Sequence, residues 1–382
     1  MPTKVLQPLA VVSTEHSSAG SGTYVLELAA SGSRDCLAAA LSDGRCQLYA
    51  VSGATMELAG ECVGHKGAIT GLSMDGAAPD QLLTCSLDGS VRAWDLRSGQ
   101  QTQQFTAGKG MGLNALAASG NTIAAGSEGC VYFWDWRSNE QLACFDDTHP
   151  EAVTQVLYHP QQPSIFISGS MDGLINVADF SEGLHEDNSF KAGLNLDASV
   201  SRMGFYGDQQ EQLWCLSHTD TLHLWQWQAA CNEESQGGEG PLADVMDVRE
   251  RLSQAPCGVS QHISSVDYVV GCSYSLGALS MAAGSSGGDV GISDVTLPSR
   301  SGEDCSFSGC RLLLRGGHSD VVRSVLWPSE HSPVYFTAGE DAKICAWSTL
   351  AVGEESTIGK RGKESAVADS SQPQKKRMKH KL

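Results

Sequence analysis

The chain has 382 residues, of which 41% are hydrophobic and only 18% charged, with a formal charge of −19, a composition that excludes a disordered chain. Its longest uncharged stretch, 268–288, is broken by five serines and five glycines, which excludes the ~20 consecutive apolar residues of a membrane helix. Thirteen cysteines, an odd number, occur without any Asn-x-Ser/Thr acceptor and predict a reduced intracellular protein instead of a disulfide framework.

From the N-terminus, Gln7 and Pro8 split the apolar residues into runs too short for a secretory signal. Leu9-Ala10-Val11-Val12 reads as an isolated strand. Behind it one unit recurs: a short apolar run, a polar turn, and a second apolar run that ends, in the better copies, in an aromatic residue six positions past the turn. The clearest copy runs from Leu82 through Asp88-Gly89 to Trp94-Asp95. The same frame pairs Asp43 with Tyr49, Glu128 with Trp134, Thr219 with Trp225 and Asp341 with Trp347, and more weakly Asp172 with Ala178 and Gly287 with Ser293.

These seven units recur at intervals near the ~40 to 45 residues of a four-stranded propeller blade. The two longer intervals predict insertions, at 229–258 and 298–310. Apolar runs of four to seven residues bounded by Gly, Asp or Ser have strand length, and no segment sustains a helical period. The expected fold is therefore all-β: a seven-bladed β-propeller over 1–352, with the outer strand of the last blade supplied by Leu9–Val12 to close the ring. Residues 353–382 are expected to form a disordered basic tail.

Gly64-His65, Asp88-Gly89 and Trp94-Asp95 resemble a complete WD (WD40) repeat, and Gly317-His318, Asp341 and Trp347 resemble a second. In that family a His, a Ser or Thr of the second strand, the turn Asp and the Trp form a buried hydrogen-bonded chain. The resemblance assigns these roles to His65, Ser86, Asp88 and Trp94, and to His318, Thr337, Asp341 and Trp347, although Gly339 stands at the position matching Ser86. The fourth blade keeps His149, Ser170 and Asp172 but has Ala178 in place of the Trp. The first, fifth and sixth blades are degenerate.

Trp94-Asp95-Leu96-Arg97 and Trp134-Asp135-Trp136-Arg137 fall in consecutive blades, so Arg97 and Arg137 should share one rim. The pair resembles the doubled Asp-x-Arg box of propeller substrate receptors that dock on the adaptor of cullin-RING ubiquitin ligases, where a guanidinium suits a partner carboxylate or carbonyl. The alternative is that each Arg bridges its own Asp95 or Asp135 and steadies the turn. Trp136, with Trp214, Trp227 and Trp327, lies outside the repeat's Trp position and is either a binding anchor or packing between blades. The insertion from Cys231 to Gly258 is either a partner-binding loop on a rigid scaffold or, from its acidic, Gly-rich start, a solvated loop.

Gly108-Lys109-Gly110 lacks phosphate-loop spacing. Gly284-Ser285-Ser286-Gly287-Gly288 matches a nucleophile elbow in letters, but a strand follows it where that motif needs a helix. Cys305 and Cys310 form no second pair at zinc-ligand spacing. Neither catalysis, nor a cofactor, nor a metal is expected.

Residues 360–382 hold eight Lys/Arg against two acids, which leaves 17 basic and 42 acidic residues, −25, in the first 359. An acidic body argues against a duplex-binding face. Lys375, Lys376, Arg377, Lys379 and Lys381 read as a nuclear import signal or a weak nucleic-acid contact. The expectation is a monomeric scaffold for other proteins, resident in the nucleus and also the cytoplasm.

Overall fold

A computed structural model describes residues 3–15, 22–74, 80–108, 110–231, 240–255, 265–275, 277–298, 304–329 and 332–349. The basic cluster at 375–381 lies outside the described residues, as does Lys109. The chain folds into seven sheets in order along the sequence, antiparallel within the spans 25–63, 69–106, 115–145, 153–195, 200–245, 268–314 and 322–348. We call the strands of each blade a to d from the channel outward. All seven turn positions read from the sequence fall in the b–c hairpins. The residue after each turn position takes a left-handed conformation, at Gly44, Gly89, Gly129, Gly173, Asp220, Gly288 and Ala342. That requirement explains the recurrent Asp-Gly pairs, because glycine reaches positive φ without a steric penalty.

The apolar residues of the runs face the neighbouring blades. One buried hydrophobic cluster sits at each of the seven blade junctions, for example Val25, Leu37 and Tyr49 of blade 1 against Val334, Phe336 and Ile344 of blade 7. Burial of each Leu, Ile or Phe contributes about 1.5–3 kcal/mol, and a blade gains it only by stacking on its neighbours.

The ring closes as expected. Ala10–Ser13 pairs antiparallel with Lys343–Ser348 as the outer strand of blade 7, with Ala10 opposite Ala346. A second closure was not anticipated: Lys4–Leu6 adds to blade 6 as a parallel strand beside Leu312–Leu314, and Leu6 is buried in the blade 6–7 cluster. One N-terminal segment therefore ties two blades.

The insertions differ from expectation. The range 229–258 contains the outer strand of blade 5, Ala243–Val245, and a helix, Val248–Gln254, whose Val248 and Leu252 are buried between blades 5 and 6. Its middle is thus packed structure, anchored by apolar residues at helical spacing. Within 298–310, Ser306–Phe307 pairs with the third strand of blade 6. The other helical turns are Glu186–Ser189 and Trp227–Ala230. Among the described residues, no helix is long and apolar enough to cross a membrane.

Candidate functional site

In blade 2, His65 Nδ1 lies 3.0 Å from Asp88 Oδ2, and His65 Nε2 lies 2.7 Å from Thr84 Oγ1. The Trp94 indole N–H donates to the same Thr84 oxygen at 2.9 Å. A carboxylate only accepts, so Nδ1 carries the ring proton and the Thr84 hydroxyl donates to Nε2. Burial lowers the pKa of His65, against the opposing pull of Asp88, and keeps the ring neutral. Burial pushes Asp88 up, but the Ser90 hydroxyl, the Lys66 N–H and His65 outweigh it and hold the carboxyl at about 2.

The hydroxyl in this chain is Thr84, which corrects the assignment to Ser86. Ser86 instead donates to Gly67 O at 2.9 Å and accepts from the Asp88 N–H. Blade 4 repeats the arrangement with His149, Ser168 and Asp172 at 2.9 and 3.0 Å, while Ser170 bonds Glu151 O. Blade 7 does so with His318, Thr337, Asp341 and Trp347. Its Thr337 sits four residues before the turn Asp, as Thr84 and Ser168 do, so Gly339 costs this chain of bonds nothing.

Two of the three degenerate blades, the first and the fifth, carry substitutes on strand c, four residues past the turn; the sixth has Gly291 there. In blade 5, Leu196 occupies the His position, and His223 instead bonds the Thr221 hydroxyl at 2.8 Å and Asp244 at 2.6 Å. In blade 1, Gln47 donates to Thr14 O and accepts from Tyr49 OH. The hydroxyl position of blade 5 is Cys215, and the buried Trp225 N–H accordingly has no acceptor among the described residues. These substitutes lack a sequence signal because the role has moved to a different strand.

The doubled box lies on the opposite rim, in the c–d turns of blades 2 and 3. Asp95 Oδ1 accepts the N–H groups of Arg97 and Ser98 at 3.0 and 2.8 Å; Asp135 Oδ1 accepts those of Arg137 and Ser138 at 2.7 and 2.8 Å. The Ser98 and Ser138 N–H bonds, with the Arg side chains in support, hold both carboxyls below the usual range. Each Asp thus steadies its own turn, as the alternative reading expected, but through backbone N–H groups: neither Arg side chain makes an ion pair with its own Asp among the described residues. The Arg97 guanidinium pairs instead with Asp80 of the preceding a–b turn and stays 77% exposed. The Arg137 guanidinium is exposed and makes no ion pair among the described residues.

Trp136 is not an exposed anchor. It is 9% exposed and packs against Phe105 of blade 2, with ring centroids 6.5 Å apart. Trp214 and Trp227 are buried, and Trp327 packs on Tyr335.

A WD domain, G-beta repeat profile matches residues 56–95. The chain is 32% identical to WD repeat-containing protein GTS1 of Arabidopsis thaliana over 85% of this chain and 81% of that protein. It is 28% identical to the WD repeat-containing protein 89 homolog of Dictyostelium discoideum, over 85% and 82%. An uncharacterized WD repeat-containing protein of Saccharomyces cerevisiae is 26% identical, over 72% and 66%.

Proposed function

The chain belongs to the WD-repeat family, and from that membership we propose that it acts as a non-enzymatic scaffold that holds other proteins on the c–d rim of its propeller. The supporting observation is the state of Arg97 and Arg137. Their neighbours Asp95 and Asp135 each turn one oxygen to backbone N–H groups and make no ion pair with Arg97 or Arg137 among the described residues, so two guanidinium groups in consecutive blades keep donors for a partner's carboxylates or carbonyls. Arg97 spends part of its fork on Asp80, which orients it without exhausting its five donors.

The same observation favours a narrower reading, in which this rim docks the adaptor of a cullin-RING ubiquitin ligase and the opposite face or the 229–258 insertion holds a substrate. Such docking needs both arginines free of their own aspartates. Lys375, Lys376, Arg377, Lys379 and Lys381 support nuclear residence in this reading, and the acidic body confines any nucleic-acid contact to that tail.

The test is affinity purification with mass spectrometry on wild type and an Arg97→Ala/Arg137→Ala variant whose melting temperature is unchanged. The scaffold reading expects a defined set of proteins to be lost from the variant. Presence of the ligase adaptor in that set selects the narrower reading, and identical protein sets from both forms remove the rim from consideration.

A further inference from the structure

Strands c and d of blade 1, Arg45–Ser52 and Thr55–Val63, pair antiparallel with Cys46 directly opposite Cys62. Directly opposed residues share a face of the sheet, and their Cα atoms stand ~4.5–5.5 Å apart. A disulfide spans ~4.4–6.8 Å between Cα atoms, so the register places these two cysteines within bonding reach. Both are fully buried at the junction of blades 1 and 2, packed with Ile69, Leu82 and Trp94, and both thiols are free. Among the described strand pairings, no other two cysteines stand opposite each other.

Exposure and geometry are separated in this chain. Cys130 and Cys144 of blade 3 are both part-exposed, but Cys144 stands opposite Tyr132, which leaves Cys130 on the diagonal, where Cα atoms lie ~7–8 Å apart. That is beyond disulfide reach. Access to the buried pair comes through strand d of blade 1. It is the outer edge of its sheet, with Glu57, Leu58, Ala59 and Val63 exposed, and such an edge opens locally more readily than the inner strands. Burial pushes the Cys62 thiol up to about 12 and raises the Cys46 thiol as well. Both therefore stay protonated while the strand is closed, and the reactive thiolate forms when it opens.

We propose that Cys46 and Cys62 form a redox-sensitive staple, closed by hydrogen peroxide and opened by a dithiol, that locks the outer strand of blade 1 onto its sheet. One sulfur takes an oxygen from the peroxide as the O–O bond breaks, giving a sulfenic acid and one water. The second sulfur then attacks the first, the S–O bond breaks, and a second water leaves with the remaining thiol proton. The two sulfurs together lose two electrons, which the peroxide gains. Strand d runs directly into Gly64-His65, so the staple fastens the entry to the hydrogen-bonded chain of blade 2. It is independent of the scaffold reading.

The experiment treats the full, reduced chain at pH 8 with hydrogen peroxide, blocks the remaining thiols with iodoacetamide and maps the tryptic peptides by mass spectrometry. Trypsin cuts after Arg45 and Lys66, so both cysteines fall in peptide 46–66. That peptide is expected to lose two hydrogens and to take no label until it is reduced. Cys130 and Cys144 fall in separate peptides, divided at Arg137, and should not be joined. The stapled chain should melt about 2–4 °C higher, because the closed loop restricts the unfolded chain. Dithiothreitol should reverse the shift, and Cys62→Ala should not show it. A peptide 46–66 labelled at both cysteines while Cys130 or Cys144 is oxidised, or a stapled chain that melts below the reduced one, overturns the proposal. The peptide map needs no variant.

Discussion

Thr84 Oγ1 receives the Trp94 indole N–H at 2.9 Å, in a pocket where both side chains are almost wholly buried. Thr84 also supplies the proton to His65 Nε2, so one hydroxyl holds two groups that have no other partner for those atoms among the described residues. Thr84→Val keeps the shape and removes the hydroxyl, stranding a buried donor and a buried acceptor. The expected loss is about 2–4 kcal/mol, read from urea denaturation. Ser86→Ala, which removes only the bond to Gly67 O and the acceptor for the Asp88 N–H, should cost about 1 kcal/mol. The reverse order would restore Ser86 to the chain of bonds.

The difference between Thr84 and Ser86 shows where sequence patterning stops. Strand side chains alternate with period 2, so residues 84 and 86 share a face and no periodicity distinguishes them. The seven turns were legible because each demands a left-handed residue, and five of them announce it with glycine. The Leu9–Val12 closure was legible because the last unit lacked an outer strand. Lys4–Leu6 was not, since three residues carry no pattern and their partner lies over 300 residues away. His223 and Gln47 were missed because a buried polar role passed from a loop to strand c, and Trp136 stayed open between anchor and inter-blade packing because a rim position does not reveal which neighbour covers it; the packing reading holds.

Protonation should affect stability in three windows, two of one sign and one of the other. His65 and His149 have pKa values lowered mainly by burial, so the unfolded chain takes up their protons first and stability falls as pH drops below ~6.5. Asp88 and Asp341 are held at about 2, and their contribution disappears between ~4 and ~2. Glu27 runs the other way. Its folded value near 7 lies above the ordinary 4.5, so its contribution is present below ~4.5 and lost as pH rises through ~7. Glu27→Gln should therefore be more stable than wild type at pH 8, by at most about 3 kcal/mol, with the gap closing by pH 4.5. Thermal melts of both proteins across pH 4–8 read this, and a pH-independent gap would contradict it.

Ala342 carries φ +56° at the turn position where five other blades place glycine. A Cβ in this region is strained, by about 1–2 kcal/mol, and Ala342→Gly removes it. The expected result is a gain of about 0.5–1 kcal/mol after the entropy that glycine returns to the unfolded chain. A loss of stability would mean that the buried Ala342 methyl contributes more by packing than its backbone strain costs.

The N-terminal segment tests how the ring is held. Lys4–Leu6 covers an edge of blade 6 and Ala10–Ser13 covers an edge of blade 7, while Leu6 fills the junction between them. Leu6→Ala should cost about 2 kcal/mol or more by opening a cavity there. Val5→Ala, at an exposed position, should stay within about 0.5 kcal/mol. Deleting residues 1–13 strips both edge strands, exposes the backbone groups of blades 6 and 7, and should yield a protein that associates through them. Light scattering with urea denaturation reads both effects. If the deletion melts like wild type and stays monomeric, the two strands decorate the ring and do not close it.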